Sequence, residues 1–145
     1  MPKITPFLWF NDNAHEAMNF YVSIFKNSKV ISQSSMSVKF QLEGQEFFGL
    51  NGGPHFQFTE AISLFVDCAD QKEVDELWAK LTAGGEESQC GWLKDKFGLS
   101  WQIIPRALAD YLDDPDPVKA NRVMQAMLKM GKIDVAALKK AYEQG

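Results

Sequence analysis

Side chains suited to acid, base or metal chemistry are scarce in this chain: two histidines, His15 and His55, and two cysteines, Cys68 and Cys90. His55 follows Gly52, Gly53 and Pro54, where a rigid turn can aim an imidazole, and a pKa near neutrality suits proton transfer. No partner for it is visible in the sequence. His15 falls in the first turn of a predicted helix and reads as a solvated polar residue. The cysteines are too few for a disulfide framework and too far apart for a zinc knuckle or a redox CxxC pair. They read as reduced, partly buried thiols with no assigned chemistry. Aromatic surface is plentiful by contrast, with eleven Phe and four Trp.

The elements that would position these residues are built twice from one plan. Asn13, Glu16, Ala17, Phe20, Tyr21 and Ile24 fall on Asp70, Glu73, Val74, Leu77, Trp78 and Leu81 at an offset of 57. Each set reads as a capping side chain, a glutamate three residues on, and one apolar helical stripe. Duplicated units usually close against each other, and the cleft this leaves is the expected seat of function.

Positions 3–10 predict a strand, and Asn13 opens a helix reaching about Phe25. Positions 30–42 and 45–51, joined by a tight turn at Glu43 and Gly44, complete a β-α-β-β-β order. Gly52, Gly53 and Pro54 then break regular structure. The order repeats: a strand over 61–66, a helix capped by Asp70 and ending before Gly84, and short strands near 86–89, 92–94 and 99–104. Past Pro105 the chain reads as helical, with a short helix over 107–112. Another is begun by Pro115, Asp116 and Pro117 and stopped by Gly131, and the last is capped by Asp134 with Ile133 and Leu138 as a staple. Val123, Met124, Met127, Leu128 and Met130 form an amphipathic stripe suited to the body of the domain or to a second subunit. The expectation is a single domain, with an internal repeat over 1–53 and 58–105 and a helical extension over 106–145.

Composition excludes several classes of partner. Net charge is -4, and no stretch concentrates Lys or Arg as a phosphate-tracking surface requires, so no nucleic acid is expected. The apolar run near the start is too short for a signal h-region or a membrane span, which predicts a cytoplasmic protein with no membrane anchor.

Two βαβββ units in tandem resemble the vicinal oxygen chelate superfamily, which includes glyoxalase I, extradiol dioxygenases and bleomycin or fosfomycin resistance proteins. That resemblance implies an α+β fold whose units form half-barrels around a cleft, here with a C-terminal helical tail. At finer grain, FNDNAHEAMNFYVSIF (10–25), LNGGPHFQFTEAIS (50–63), CGWLKDKFGLSWQIIP (90–105) and the tail from 116 to 142 are similar to the PhnB-like branch. Its members are commonly labelled 3-demethylubiquinone-9 3-methyltransferase. The resemblance implies a small-molecule ligand and a homodimer. It leaves open a binding protein of undefined activity, the labelled methyltransferase, or a metal-dependent lyase or isomerase using His55 and Gln102 with carboxylates such as Glu60.

Metal-using members carry four ligands on the first and last strands of the two halves, and the matching positions here are most nearly Thr5, Phe47, Ala61 and Gln102. Only Gln102 can ligate, so neither a metal nor another cofactor is expected. S-adenosylmethionine is commonly held by a Gly-rich strand-to-helix turn. Gly52 and Gly53 lead instead into Pro54 and a loop, and Gly84 and Gly85 follow a helix rather than opening one. If strand register follows the family, Thr5, Phe7 and Trp9 face the cleft while Leu8 and Phe10 face the helices. Ser100, Gln102 and Ile104 share one face of the last strand. With Phe47, Asn51, Ser63, Phe65 and His55, the expected pocket is mostly apolar with a few hydrogen-bonding points, the usual make-up of a small-molecule site.

Overall fold

Pro6 has no N–H to give a neighbouring strand, and β1 accordingly runs only over Phe7–Phe10 rather than from residue 3. The structure, a computed structural model, describes residues 3–144. After β1 come α1 (Ala14–Ile24), β2 (Ser28–Gln33), β3 (Ser37–Leu42) and β4 (Gln45–Asn51). They form one open sheet in the order β1-β4-β3-β2, with β1 parallel to β4 and the other neighbours antiparallel. Glu43 and Gly44, both at positive φ, make the two-residue turn whose twist matches the strands it joins.

The buried stripe of α1, Ala14, Ala17, Met18, Tyr21 and Ile24, packs against β3 and β4. Gly49 leaves room for the β3 side chain beside it, because a Cβ there would sit 2.7 Å from Val38 Cγ2. Under the helix Tyr21, Phe40 and Phe47 form a run of ring contacts, with centroids 6.2 and 5.4 Å apart. Burying each such side chain is worth roughly 1.5–3 kcal/mol.

The plan returns with β5 (Ser63–Cys68), α2 (Gln71–Thr82), β6 (Glu86–Glu87), β7 (Trp92–Lys94) and β8 (Ser100–Pro105). Strand order is β5-β8-β7-β6, again with first and last strands parallel. Val74, Leu77, Trp78 and Leu81 of α2 are buried, as are Leu93, Trp101 and Ile103 on β7 and β8, which α2 contacts. Asp70 accepts from Glu73 N while Glu73 Oε1 accepts from Ala69 N, a reciprocal cap of the kind the spacing predicts. The chain divides into two compact units between Phe58 and Thr59. No helix among the described residues is long and apolar enough to cross a membrane.

Cys68 ends β5 fully buried, and burial together with the nearby Glu73 and Asp67 carboxylates pushes its thiol up to about 12. A thiol this high is almost wholly protonated at pH 8, and the thiolate is the reactive form. The native protein should therefore release one equivalent of chromophore from a disulfide thiol reagent at pH 8, from half-buried Cys90, and a second only in denaturant.

Three helices close the second unit: α3 (Arg106–Leu112), α4 (Pro117–Met127) and α5 (Val135–Glu143). Asp116 and Asp134 cap α4 and α5 by accepting from Val118 N and Ala137 N. Helix α4 stops short of Gly131, because Lys129 and Met130 tighten onto carbonyls three residues back. The next carbonyls are taken by the body, Met130 O by Cys90 N and Gly131 O by Gly91 N, each at 2.8 Å. Gln71 fastens the same segment from α2, donating to Ile133 O and accepting from Val135 N. The result is a separate small core of Ile104, Leu108, Val123, Ile133 and Leu138.

Asp114 and Tyr142 fasten α5 to the turn before α4, with the phenol donating to the carboxylate. The hydrogen bond from Tyr142 holds Asp114 below the usual carboxylate range, and acceptance by Asp114 holds Tyr142 above the usual phenol range. The Asp114 contribution is present above its unfolded pKa and lost as pH falls through the folded one. The Tyr142 contribution is present below its unfolded pKa and lost as pH rises through the folded one. The thermal midpoint of Tyr142→Phe should therefore fall furthest below wild type near neutrality, with the gap narrowing at both acidic and alkaline extremes.

Candidate functional site: the open sheet faces

Each sheet is covered by its helix on one face, and the aromatic residues named from the sequence fall mainly on the other. On β1 the alternation is plain: Leu8 and Phe10 are buried on the helix side, whereas Phe7 is 59% exposed and Trp9 half-buried. Phe7 pairs with Phe48 of β4, their centroids 6.0 Å apart, and Lys39 of β3 lies over the Phe48 ring at 5.3 Å. Glu46 holds Lys39 in an ion pair at 3.5 Å. Thr5 is half-buried just ahead of β1.

Trp9 is fixed by the loop that leaves β4. Its indole Nε1 donates to Gly53 O at 2.9 Å, and Phe56 and His55 meet the ring edge-on at 5.0 and 6.5 Å. His55 is exposed, and its backbone N donates to Gly53 O. His15 Nε2 lies 2.6 Å from Ser34 O, tying α1 to the hairpin between β2 and β3.

Two residues assigned to the pocket lie on the helix side instead. Phe47 is buried and stacked on Phe40, while its neighbour Phe48 holds the open-face position, a one-residue difference in register that reverses the side chain. Asn51 is spent as a helix cap: its Oδ1 accepts from Ala14 N at 2.8 Å. Asn13 stands at the N-cap position but makes no side-chain capping bond.

In the second unit, Ser63 and Phe65 of β5 share the open face with Ser100 and Gln102 of β8 and with Trp92 and Lys94 of β7. Phe65 is 59% exposed, and Gln102 Nε2 donates to Ser63 Oγ at 2.9 Å. Ile104, next on that face of β8, is buried in the core of the tail. Lys94 pairs with Glu60 at 2.6 Å, an interaction that lowers the carboxyl's pKa and raises the ammonium's.

Asp95, which carried no assignment from the sequence, is 3% exposed at the β7–β8 turn. It accepts from Phe97 N, Leu99 N and Trp101 Nε1 at 2.8, 3.1 and 2.9 Å. An aspartate three residues before a turn glycine signals this arrangement locally.

Among the described residues, the positions expected to ligate a divalent cation do not supply its donors. Phe47 and Ala61 carry no donor atom, and no group of three or more His, Cys, Asp or Glu side chains suited to a metal occurs among the described residues. A nucleotide-like methyl donor fits no better. Gly52 and Gly53 lead into residues that form no helix before β5, and Gly84 and Gly85 follow α2.

Comparison with known proteins places these features. The family described as 3-demethylubiquinone-9 3-methyltransferase matches residues 2–104, ending where the helical tail begins. A putative 3-demethylubiquinone-9 3-methyltransferase, PhnB protein, from Bacillus cereus is 35% identical, with a TM-score of 0.67 over 72% of this chain and 99% of that one. Protein PA1353 from Pseudomonas aeruginosa is 17% identical, with a TM-score of 0.60 over 72% of this chain and 98% of that one. The fosfomycin resistance protein FosX from Listeria monocytogenes, solved with Mn(II) and sulfate, is 21% identical, with a TM-score of 0.52 over 70% of this chain and 88% of that one. No curated protein matches the sequence. The sheet order, the aromatic open faces and the match over residues 2–104 together make this chain a member of the 3-demethylubiquinone-9 3-methyltransferase family, PhnB-like proteins of the vicinal oxygen chelate fold.

Proposed function

We propose that this family member binds a small, largely apolar or aromatic molecule against the open faces of its sheets, by ring contact and hydrogen bonding and without a metal ion. The observation that carries this reading is the outward-facing aromatic set: Phe7 beside Phe48 on one sheet and Phe65 beside Gln102 on the other. Large aromatic side chains on the sheet faces away from the helices, more than half exposed in the case of Phe7 and Phe65, forgo burial unless something apolar covers them. Ser63 and Gln102 supply the few polar points that orient a ligand in such a site. Methyl transfer receives no support from these residues.

The test is a titration of quinones and naphthalene-sized aromatic ketones followed by tryptophan emission and equilibrium dialysis. Saturable binding is expected, weakened about 5–10-fold by Phe7→Ala or Phe65→Ala, as the loss of one aromatic contact implies. No binding of any of these compounds would refute the reading. The same proposal has the protein acting in the cytoplasm as a homodimer, the pairing supported by the exposed Val118 and Met124 of α4 and Leu128 at its C-cap. Sedimentation equilibrium should then give twice the chain's 16.4 kDa, and the single-chain mass would refute the dimer.

A further inference from the structure

One polar atom on the open face of the second sheet is unaccounted for. Ser100 is 0% exposed, and its hydroxyl has no hydrogen-bond partner among the described residues. Buried hydroxyls are nearly always paired, and leaving one unpaired costs about 1–3 kcal/mol. The hydroxyl does not stand alone on its face. Ser63 lies directly beside it on β5 and Lys94 directly beside it on β7, giving a cross-strand row of two hydroxyls and an ammonium. Ser63 accepts from Gln102, so its own proton remains to be donated. Lys94 reaches across β8 to Glu60, which enters β5, and both side chains of that pair are substantially exposed. An exposed pair of this kind is worth at most about 1 kcal/mol and is readily displaced.

The next row along the face is Phe65, Gln102 and Trp92. Rows two residues apart along a strand are separated by about 6.5–7 Å. That spacing lets a flat ring lie by Phe65 and Trp92 while a substituent oxygen reaches the row of donors.

We infer that Ser63, Ser100 and Lys94 form an oxygen-binding subsite that selects flat aromatic ligands bearing a carboxylate or phenolate, the ligand's anionic oxygen replacing Glu60 as the partner of Lys94. This deepens, and rests on, the proposed binding of aromatic molecules. Two hydroxyls and an ammonium side by side in one cross-strand row can all donate, and the ammonium's positive charge favours a negatively charged oxygen over a neutral one. Ser100 then gives up stability in the free protein and recovers it on binding, as residues kept for function do.

Equilibrium dialysis with 2-naphthoate and with 2-ethylnaphthalene, which has a similar outline and no oxygen, tests the assignment. Wild type should bind naphthoate at least about tenfold more tightly. Ser100→Ala should weaken naphthoate about tenfold, leave ethylnaphthalene unchanged, and keep or raise the thermal midpoint, since it removes an unpaired buried group. Glu60→Gln, an exposed substitution that leaves the core intact, should tighten naphthoate by removing the competing carboxylate. Equal affinity for the two probes, or naphthoate binding indifferent to both Ser100→Ala and Glu60→Gln, would overturn the subsite while leaving aromatic binding intact. Failure of both probes to bind would overturn the subsite together with the reading beneath it.

Discussion

Replacing Asp95 with alanine should cost this protein about 3 kcal/mol or more, the largest loss expected from any single polar side chain in it. Its carboxylate is buried and accepts three hydrogen bonds, two from backbone amides of its own turn and one from the Trp101 indole. Removing the acceptor takes a partner from two buried donors and one part-buried one, and a buried donor that loses its acceptor carries a desolvation penalty. The damage reaches the open face through β8, because Leu99 and Trp101 flank Ser100 and set the strand's direction. The thermal midpoint should fall by roughly 6–12 °C in a chain of this size. Asp95→Asn should lose less, since its amide oxygen still serves the backbone donors while its NH2 faces the indole N–H. A fall of under about 2 °C for alanine would mean that the turn is held by other means.

The second large effect is expected at Gly52. A Cβ built there would lie 2.2 Å from Trp9 Cζ2 and 2.3 Å from Cε2, well inside contact distance. Backbone bonds tie Gly52 to Phe10 O and Gly53 to Asn11 O, so the chain cannot easily retreat and the indole must move. Gly52→Ala should therefore break the bond from Trp9 to Gly53 O, part Trp9 from Phe56, and destabilise the protein by about 1–3 kcal/mol, as overpacking does. Tryptophan emission should shift to the red, and affinity for aromatic ligands should fall at least about fivefold. Unchanged emission and affinity would show that Trp9 is not the platform its contacts make it.

Much of this architecture is legible in the sequence because it is written locally. Caps at Asp70, Asp116 and Asp134, the turn at Glu43 and Gly44, and the alternation of Leu8 and Phe10 against Phe7 and Trp9 each need only a few neighbouring residues. What the sequence hides is set by partners far along the chain. The first helix takes its cap from Asn51, 37 residues away, so Asn13 looks like the cap and Asn51 looks free. Phe47 and Phe48 are chemically identical neighbours, and only their pairing with Phe40 and Lys39 decides which one enters the core. The unpaired hydroxyl of Ser100 has no sequence signature, because burial without a partner is a property of the assembled sheet.

Four indole N–H resonances give the most direct test of the claim that the sheet faces away from the helices are the binding surface. Trp9 and Trp92 stand on those faces, whereas Trp78 lies on the buried side of α2 and Trp101 on the helix side of β8. In a nitrogen-proton correlation spectrum titrated with 2-naphthoate, the Trp9 and Trp92 signals should move saturably while those of Trp78 and Trp101, held by Glu87 and Asp95, stay in place. Movement of Trp78 and Trp101 alone, or of no indole at millimolar ligand, would contradict the account.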